Sequence, residues 1–548
     1  TVPNVKFNTR VQESCLAPAL KEHCNIDVEH AGPDKTSAGA AKNKDFRAIT
    51  STAPSPNPTA LDHAYMDVHM TYGRFSQKFD IKAFLHTISL ESALNGVKDV
   101  PGFDPVDINT SVSFPINKKK ALLTLCQDHV QERYGIQTHK FVKEVFGEDG
   151  TITLEYSIVF DPEKYNLDEI MEDTIEIAQN EQRVCFVFRT NLKDEALPKV
   201  KVEEGKIRVF AGAPMNLVLL CRMLTMPAVV LQKSFPEVFE SAVGVDASGK
   251  DWNHLYKWIT SFNLTRFVLG DFKQFDKTTP AEVTSRSLKL LRDFLSYGLS
   301  EEDLEIFDSM GSDILYPLYE MDGFIYEAYK SVPSGHPLTV VVNGINNSLL
   351  MRYCYYMNYI KRGIPCDPRE GHIPLFWEVI RLIVYGDDNM MNVHEKEPYF
   401  NFNTIKENLA DIGMTYTKAD KTEGNVPFED ESKLEFLKRT FLYHEYLETR
   451  VGALAWPSIW KSLTCTMKKK GSLESEAQIM AGNLSQALHE IYLHGEDEFL
   501  KYEELFHRVA KDSTDNEGFK VIDFYKPPSL QDCRDRFQST TCQYEAVA

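Results

Sequence analysis

The chain has 548 residues, 43% of them apolar and 26% charged, and a formal net charge of −20 at pH 7. That length predicts several subdomains instead of one core, and the composition is that of a soluble globular protein. The acidity argues against a generally nucleic-acid-binding surface and leaves room only for a local basic channel.

No apolar run approaches the roughly 20 residues needed to span a bilayer, and the first residues lack a signal peptide's basic-then-apolar order. The expectation is a soluble, intracellular chain with no transmembrane segment. Ten cysteines are scattered without a CxxC pair or zinc-ligand spacing, which predicts reduced, mostly buried thiols.

Residues 1–60 are rich in Pro, Ala, Ser and Asn and predict an extended segment running over other elements, or a partly disordered one. From 61 to 100 the apolar spacing turns helical. The stretch Thr110 to Lys120 offers the hydroxyls of Thr110 and Ser111 and the cations Lys118, Lys119 and Lys120. It reads either as a solvated surface loop or as a loop guiding a nucleic-acid strand by its phosphates.

Val184 to Arg189 reads as a strand, followed by Lys193, Lys199, Lys201, Lys206 and Arg208. With Pro198–Val202 and Lys206–Phe210 as an antiparallel ribbon, a row of cations would face one way and suit a triphosphate. Interleaved acids also allow an ordinary amphipathic hairpin.

Arg266–Gly270 predicts a buried strand delivering Asp271 and, five residues on, Asp276; such an acid suits a metal ligand or a helix N-cap. Asp322-Gly323 predicts a hairpin. Ser334-Gly335 then opens a long helix with Thr339 and Asn343 four apart on one face. In Leu382–Val393 two apolar runs flank Gly386-Asp387-Asp388, a tight hairpin whose adjacent carboxylates no basic residue in the stretch neutralises. At about 4 Å and an effective dielectric of about 20 such a pair repels by roughly 4 kcal/mol, which a hard cation such as Mg²⁺ or Mn²⁺ relieves. Thr417 to Lys421, a hairpin-forming run with Lys438-Arg439, and a helical region from about 456 follow; the tail beyond 525 reads as a strap.

Taken in order, these stretches resemble the RNA-dependent RNA polymerases of positive-strand, picorna-like viruses. The match runs from Thr-Ser-x-x-Phe-Pro at 110–115 and Lys-Asp-Glu with Gly-Lys-x-Arg at 193–208 to Asp-x4-Asp at 271–276 and Ser-Gly-x3-Thr-x3-Asn at 334–343. It continues through Tyr-Gly-Asp-Asp at 385–388, Thr-x-x-Asp-Lys at 417–421 and Phe-Leu-Lys-Arg at 436–439. The resemblance implies an α+β right-hand fold: an N-terminal segment 1–60 joining fingers to thumb, fingers at 61–262 with part of 312–330, palm at 263–455 and thumb at 456–548.

It also implies two Mg²⁺ ions, replaceable by Mn²⁺, on Asp271, Asp387 and Asp388, with Lys421 as general acid. Lys193, Lys199, Lys206 and Arg208 would meet the triphosphate. Asp276 and Asn343, supported by Ser334 and Thr339, would read the ribose 2′-hydroxyl. Thr110, Ser111, Lys118, Lys119, Lys120, Gly335, Lys438 and Arg439 would touch RNA. Implied partners are template and primer RNA, NTPs and other viral replication proteins, on membrane-associated complexes in the host cytoplasm. Initiation stays open between a genome-linked protein primer and none.

Three positions depart from the picornaviral pattern: Leu197 for an Arg, Ser113 for a Gly, and the Ser-Gly-His-Pro-Leu-Thr loop at 334–339. The last, with the N-terminal region, points to an insect-type lineage such as iflaviruses or dicistroviruses, and to a polyprotein product. A reverse transcriptase and a catalytically silent RNA-binding scaffold are the competing readings.

Overall fold

The helix Thr339–Ile360 is buried on every side from Val341 to Tyr359, as an element apolar all round must be. The helices Pro58–Lys78, Ala281–Leu295 and Phe402–Ala410 and the strand Ile380–Tyr385 pack on it. The structure, a computed structural model, describes residues 9–33, 38–98, 100, 102–124, 141–146, 152–420, 424, 426–467 and 474–542.

Inside this packing sits Arg352, 1% exposed. Its Nε donates to Asp67 at 2.7 Å, and its two Nη groups donate to Glu240 at 2.7 and 2.9 Å. Tyr356 Oη and the Phe376 amide also donate to Asp67, and the guanidinium lies 4.4 Å from the Phe376 ring centre. Three segments distant in sequence are thereby fixed to one point.

Beside the helix lies a four-stranded antiparallel sheet in the order Ile380–Tyr385, Asp388–Val393, Phe267–Phe272, Tyr416–Lys418. Gly270 is required there, because a Cβ would lie 1.9 Å from the Tyr416 ring. A second sheet runs Phe324–Glu327, Leu318–Met321, Val187–Leu192, Val209–Gly212, with its middle pair parallel. The C-terminal helices from Trp456 to Ser539 enclose a separate apolar core that also takes in Leu16 and Leu20. The described cysteines are free thiols.

Four expectations need correction. Residues 1–60 are not simply extended: they include the helices Ala17–Cys24 and Ala38–Thr50, and the alanines read as loop composition are strong helix formers. Short pairs still tie the segment down, Val11–Glu13 to Cys465–Met467 and His30–Ala31 to Leu197–Pro198. Lys199–Glu203 is a short helix, not a ribbon strand; Val209–Gly212 pairs with Val187–Leu192 instead, so 199–202 has no neighbour to hold it extended. The tail contains the helix Leu530–Ser539, started by a Ser529–Asp532 capping box. Finally, Met215–Ser234 is long and apolar enough to cross a membrane by length and composition. Here it is a largely buried core helix with Pro227 inside it.

Replacing Arg352 by Met should leave two buried carboxylates uncompensated and cost about 3–5 kcal/mol. A urea midpoint that does not fall would show that the network does not hold the segments together.

Candidate active site

The acidic hairpin closes between Tyr385 and Asp388 with Gly386-Asp387 as its two-residue turn. Gly386 has φ +62°, the left-handed backbone that such tight turns demand at their first position. The turn is held from below. Asn347, fully buried on the central helix, donates its Nδ2 to the carbonyls of Gly386 and Asp387 at 3.1 Å and of Asp388 at 3.4 Å. Asn389 donates to Asn347 Oδ1 at 3.2 Å and accepts from Tyr416 Oη at 2.7 Å. A chain of polar groups therefore runs from the sheet's edge strand to the turn.

Asn389 pairs with Gly270 across the sheet, and one step further the antiparallel register sets Asp388 opposite Asp271. Both line a cleft of about 320 Å³ with Lys418, Asp420, Lys433 and Lys438. Asp387 is exposed at the turn tip, yet the surrounding protein walls thin its hydration. That desolvation and the negative charge of Asp271 raise its pKa, while Arg208 opposes the rise. Asp276 follows a left-handed Gln274 (φ +55°) in the helix Phe275–Thr278. Burial, then the charge of Asp387, pushes its carboxyl up to about 6.

Arg208 reaches this acidic group from the other sheet. Its guanidinium binds both oxygens of Glu195, whose hydrogen bonds raise its pKa; Asp387 and Asp276 add to the rise. Lys193 shares Glu195 at 3.5 Å. Lys206 pairs with Glu204 at 2.5 Å, and Lys199 is exposed within electrostatic reach of Cys465. The structure thus couples Asp271, Asp276, Asp387 and Arg208 directly, and Lys193 through Glu195.

The 334–343 stretch is built for close approach. A Cβ on Gly335 would lie 2.0 Å from the Ala211 carbonyl, so only a glycine fits this exposed position. Ser334 Oγ accepts from the Ala211 amide. Thr339 donates to the carbonyls of Pro333 and His336, closing its own loop. Asn343 Oδ1 is buried and has no hydrogen-bond partner among the described residues.

Two readings change. In the 110–120 loop Lys120 is 6% exposed and its ammonium donates to Thr110 Oγ1 and to the carbonyls of Asp107 and Ser111. Burial brings its pKa down to about 8. Thr110 donates to Asp107 and Ser111 to Lys118. Lys120 thus braces the loop from inside, while Thr110, Ser111, Lys118 and Lys119 are exposed. Ser113 takes the left-handed backbone (φ +65°) that a glycine would take there, held by its Oγ on the Gly212 carbonyl. Arg439 is occupied by Glu490 at 2.8 and 3.1 Å and by the Gly452 carbonyl, whereas Lys438 is exposed at the cleft. Lys421 lies outside the described residues.

Sequence reasoning missed Asn347, Asn389 and Tyr416. For Asn347 the signal was the Asn346-Asn347 pair in a largely apolar helix, where a buried polar side chain needs a specific partner.

Among the described residues no three His, Cys, Asp or Glu side chains close into a preformed metal cage. The donor set still fits Mg²⁺, which is ordinarily held by one or two carboxylates plus substrate phosphates. Burial, and then the charge of a neighbouring aspartate, raises Asp387 and Asp276, a cost that such a cation relieves.

The family described as viral RNA-dependent RNA polymerase matches residues 64–510. The chain is 29% identical over 324 residues to the replicase polyprotein of Cricket paralysis virus, covering 58% of this chain and 18% of that protein. It is 25% identical over 436 residues to the replicase polyprotein of Drosophila C virus, covering 78% and 23%. It therefore spans less than a quarter of the length of these two relatives. Among solved structures, Sicinivirus 3Dpol RNA dependent RNA polymerase superposes with a TM-score of 0.70 at 18% identity, covering 99% of this chain and 97% of that one. That likeness shows the fold: an α+β right hand.

Replacing Asn347 by Leu should strip the turn of its donor and cost about 1–3 kcal/mol. Hydrogen exchange at the 384–389 amides should speed up; unchanged protection would remove Asn347 from the support of the turn. The raised Asp276 pKa has its own signature, since the folded chain keeps a proton that the unfolded chain releases near 3.8. Its stabilising contribution is complete below that pH and is lost as pH rises through about 6. Asp276→Asn should flatten the stability profile in that window, and an unchanged profile would refute the shift.

Proposed function

The chain belongs to the viral RNA-dependent RNA polymerases, and from that membership we propose how its site joins ribonucleotides to an RNA 3′-hydroxyl. The supporting observation is the electrostatic coupling of Asp271, Asp276, Asp387 and Arg208, which come from three separate stretches of sequence.

Asp271 and Asp387, with Asp388 beside them, would hold two Mg²⁺ ions, or Mn²⁺ in their place. When bound, such ions lower the cost of ionising the primer 3′-hydroxyl and neutralise charge on the pyrophosphate leaving group. Arg208 and Lys193 orient the triphosphate so that the 3′-oxygen lies in line with the α-phosphorus. The 3′-hydroxyl gives up its proton to solvent as the new bond forms there, the bond to the bridging oxygen breaks, and Lys421 gives the departing pyrophosphate its proton; such a donor is worth roughly 10²–10⁴-fold. Asp276 and Asn343 accept or donate to the ribose 2′-hydroxyl, the group that distinguishes RNA precursors from DNA precursors. A hydroxyl at Asn343 Oδ1 would satisfy a buried acceptor. Lys118, Lys119 and Lys438, all exposed, are the cations we assign to RNA phosphates.

Fingers at 61–262 with part of 312–330, palm at 263–455, thumb at 456–548 and the N-terminal segment bridging them complete the proposal. So do origin from an insect-type picorna-like polyprotein, and action with other viral replication proteins at cytoplasmic membrane complexes. The similarity to Cricket paralysis and Drosophila C virus polyproteins supports that origin.

Asp387→Ala should abolish nucleotide addition on a primed RNA template in Mg²⁺ and in Mn²⁺ while the fold persists. Undiminished addition would sink the assignment. Preference for deoxynucleotides by the unaltered chain would favour the reverse-transcriptase reading, and RNA binding without nucleotide consumption the silent scaffold.

A further inference from the structure

A lysine that no sequence signal marked stands where three parts of the chain meet. Lys461 belongs to the helix Trp456–Thr464, whose first turn is tied to the cleft because the Ala455 amide donates to the Lys438 carbonyl at 2.8 Å. The strand that follows this helix, Cys465–Met467, pairs with Val11–Glu13. Nearby, His30–Ala31 pairs with Leu197–Pro198, upstream of Arg208. The helix therefore faces both the cleft edge at Lys438 and the segment that carries Arg208.

The electrostatic neighbours of Lys461 are Lys438, Glu195, Arg208 and the Cys465 thiol, and with Lys438 it also acts on His30. The only carboxylate in that set, Glu195, is already bound by both fork nitrogens of Arg208 and approached by Lys193. Lys461 itself is half-buried and has no hydrogen-bond or ion-pair partner among the described residues. Its pKa is lowered, first by burial and then by the like charge of Lys438. A half-buried ammonium between two other cations is costly in the empty protein, and an anion spanning the three would repay that cost.

We infer that Lys461 is a further phosphate-binding residue, contributed by the C-terminal helical region to the triphosphate of the incoming nucleotide. The inference rests on the polymerase site proposed above. The triphosphate is the better match than RNA backbone because Arg208, in the same set, also reaches Asp387 and Asp276, where the nucleotide's reacting end and sugar would lie. Lys461 so placed joins Arg208 on a distal phosphate. Leaving with pyrophosphate, that phosphate would take the same contact.

The test uses the full chain on a primed RNA template, with Lys461→Met and the charge-conserving Lys461→Arg. Binding of a fluorescent ribonucleoside triphosphate to the enzyme–RNA complex is titrated, and single-nucleotide addition and inhibition by inorganic pyrophosphate are measured. Loss of one charged hydrogen bond should weaken nucleotide and pyrophosphate binding by about tenfold or more in Lys461→Met. Lys461→Arg should restore most of it, and the salt dependence of RNA binding should stay unchanged. Equal nucleotide affinity in Lys461→Met overturns the inference. So does a Met variant that binds nucleotide normally but loses about one unit of salt slope for RNA, which would assign the lysine to the backbone. Addition that survives Asp387→Ala would instead defeat the underlying site assignment, so the two failures are separable.

Discussion

A guanidinium shut away from water organises this molecule. Arg352 has Asp67 and Glu240 as charge partners, and neither acid can leave without stranding a buried charge. Its surroundings raise its pKa strongly, through Glu240 and Asp67 against the opposing effect of burial. The consequence travels along the backbone. Glu240 accepts from the Val384 amide, and the Ala242 amide donates back to the Val384 carbonyl, both at 2.8 Å. Val384 lies two residues before Gly386. The ion pair thus sets the edge of the strand that carries the acidic turn, while Asn347, just over one helical turn before Arg352, holds the turn itself.

The same logic explains how a chain of net charge −20 can handle a polyanion. Its cations near the cleft are mostly held by carboxylates of the protein: Arg208 by Glu195, Lys206 by Glu204, Arg439 by Glu490. Lys120 is turned inward on hydroxyl and carbonyl oxygens. Paired in this way, positive charge is fixed in position and contributes little net field at distance. Attraction for phosphate is left to the few cations at the cleft rim, and to whatever cation the aspartates hold.

The acids and the hairpin were legible in the sequence because their spacing and turn chemistry are local. Gly386-Asp387 had to be a two-residue turn, and Asp271 had to end a buried strand. What could not be read was direction. Lys120 has the right chemistry for an RNA phosphate, but it turns inward and loop closure consumes it. The cationic ribbon failed because strand pairing is decided by distant partners: Val187–Leu192 took Val209–Gly212 and left 199–203 to coil into a helix. Buried polar partners such as Asn347 and Tyr416 leave only a faint trace, since an asparagine in a helix or a tyrosine in a strand is unremarkable until its acceptor is seen.

Strand Val209–Gly212 shows how firmly the phosphate-facing side is placed. One edge pairs with Val187–Leu192, and the Lys193 amide prolongs that ladder to the Arg208 carbonyl at 2.9 Å. On the other side Gly212 bridges to Gly335, and the Ala211 amide donates to Ser334. Ser113 donates to the Gly212 carbonyl, so the 110–120 loop leans on the same strand. Ala41 of the Ala38–Thr50 helix packs with Ile207 and Val209. Arg208 therefore immediately precedes a strand clamped by four separate segments. Its approach to Asp387 and Asp276 is a property of the fold more than of its long side chain, and a shift in either loop would be felt at the guanidinium before it was felt at the aspartates.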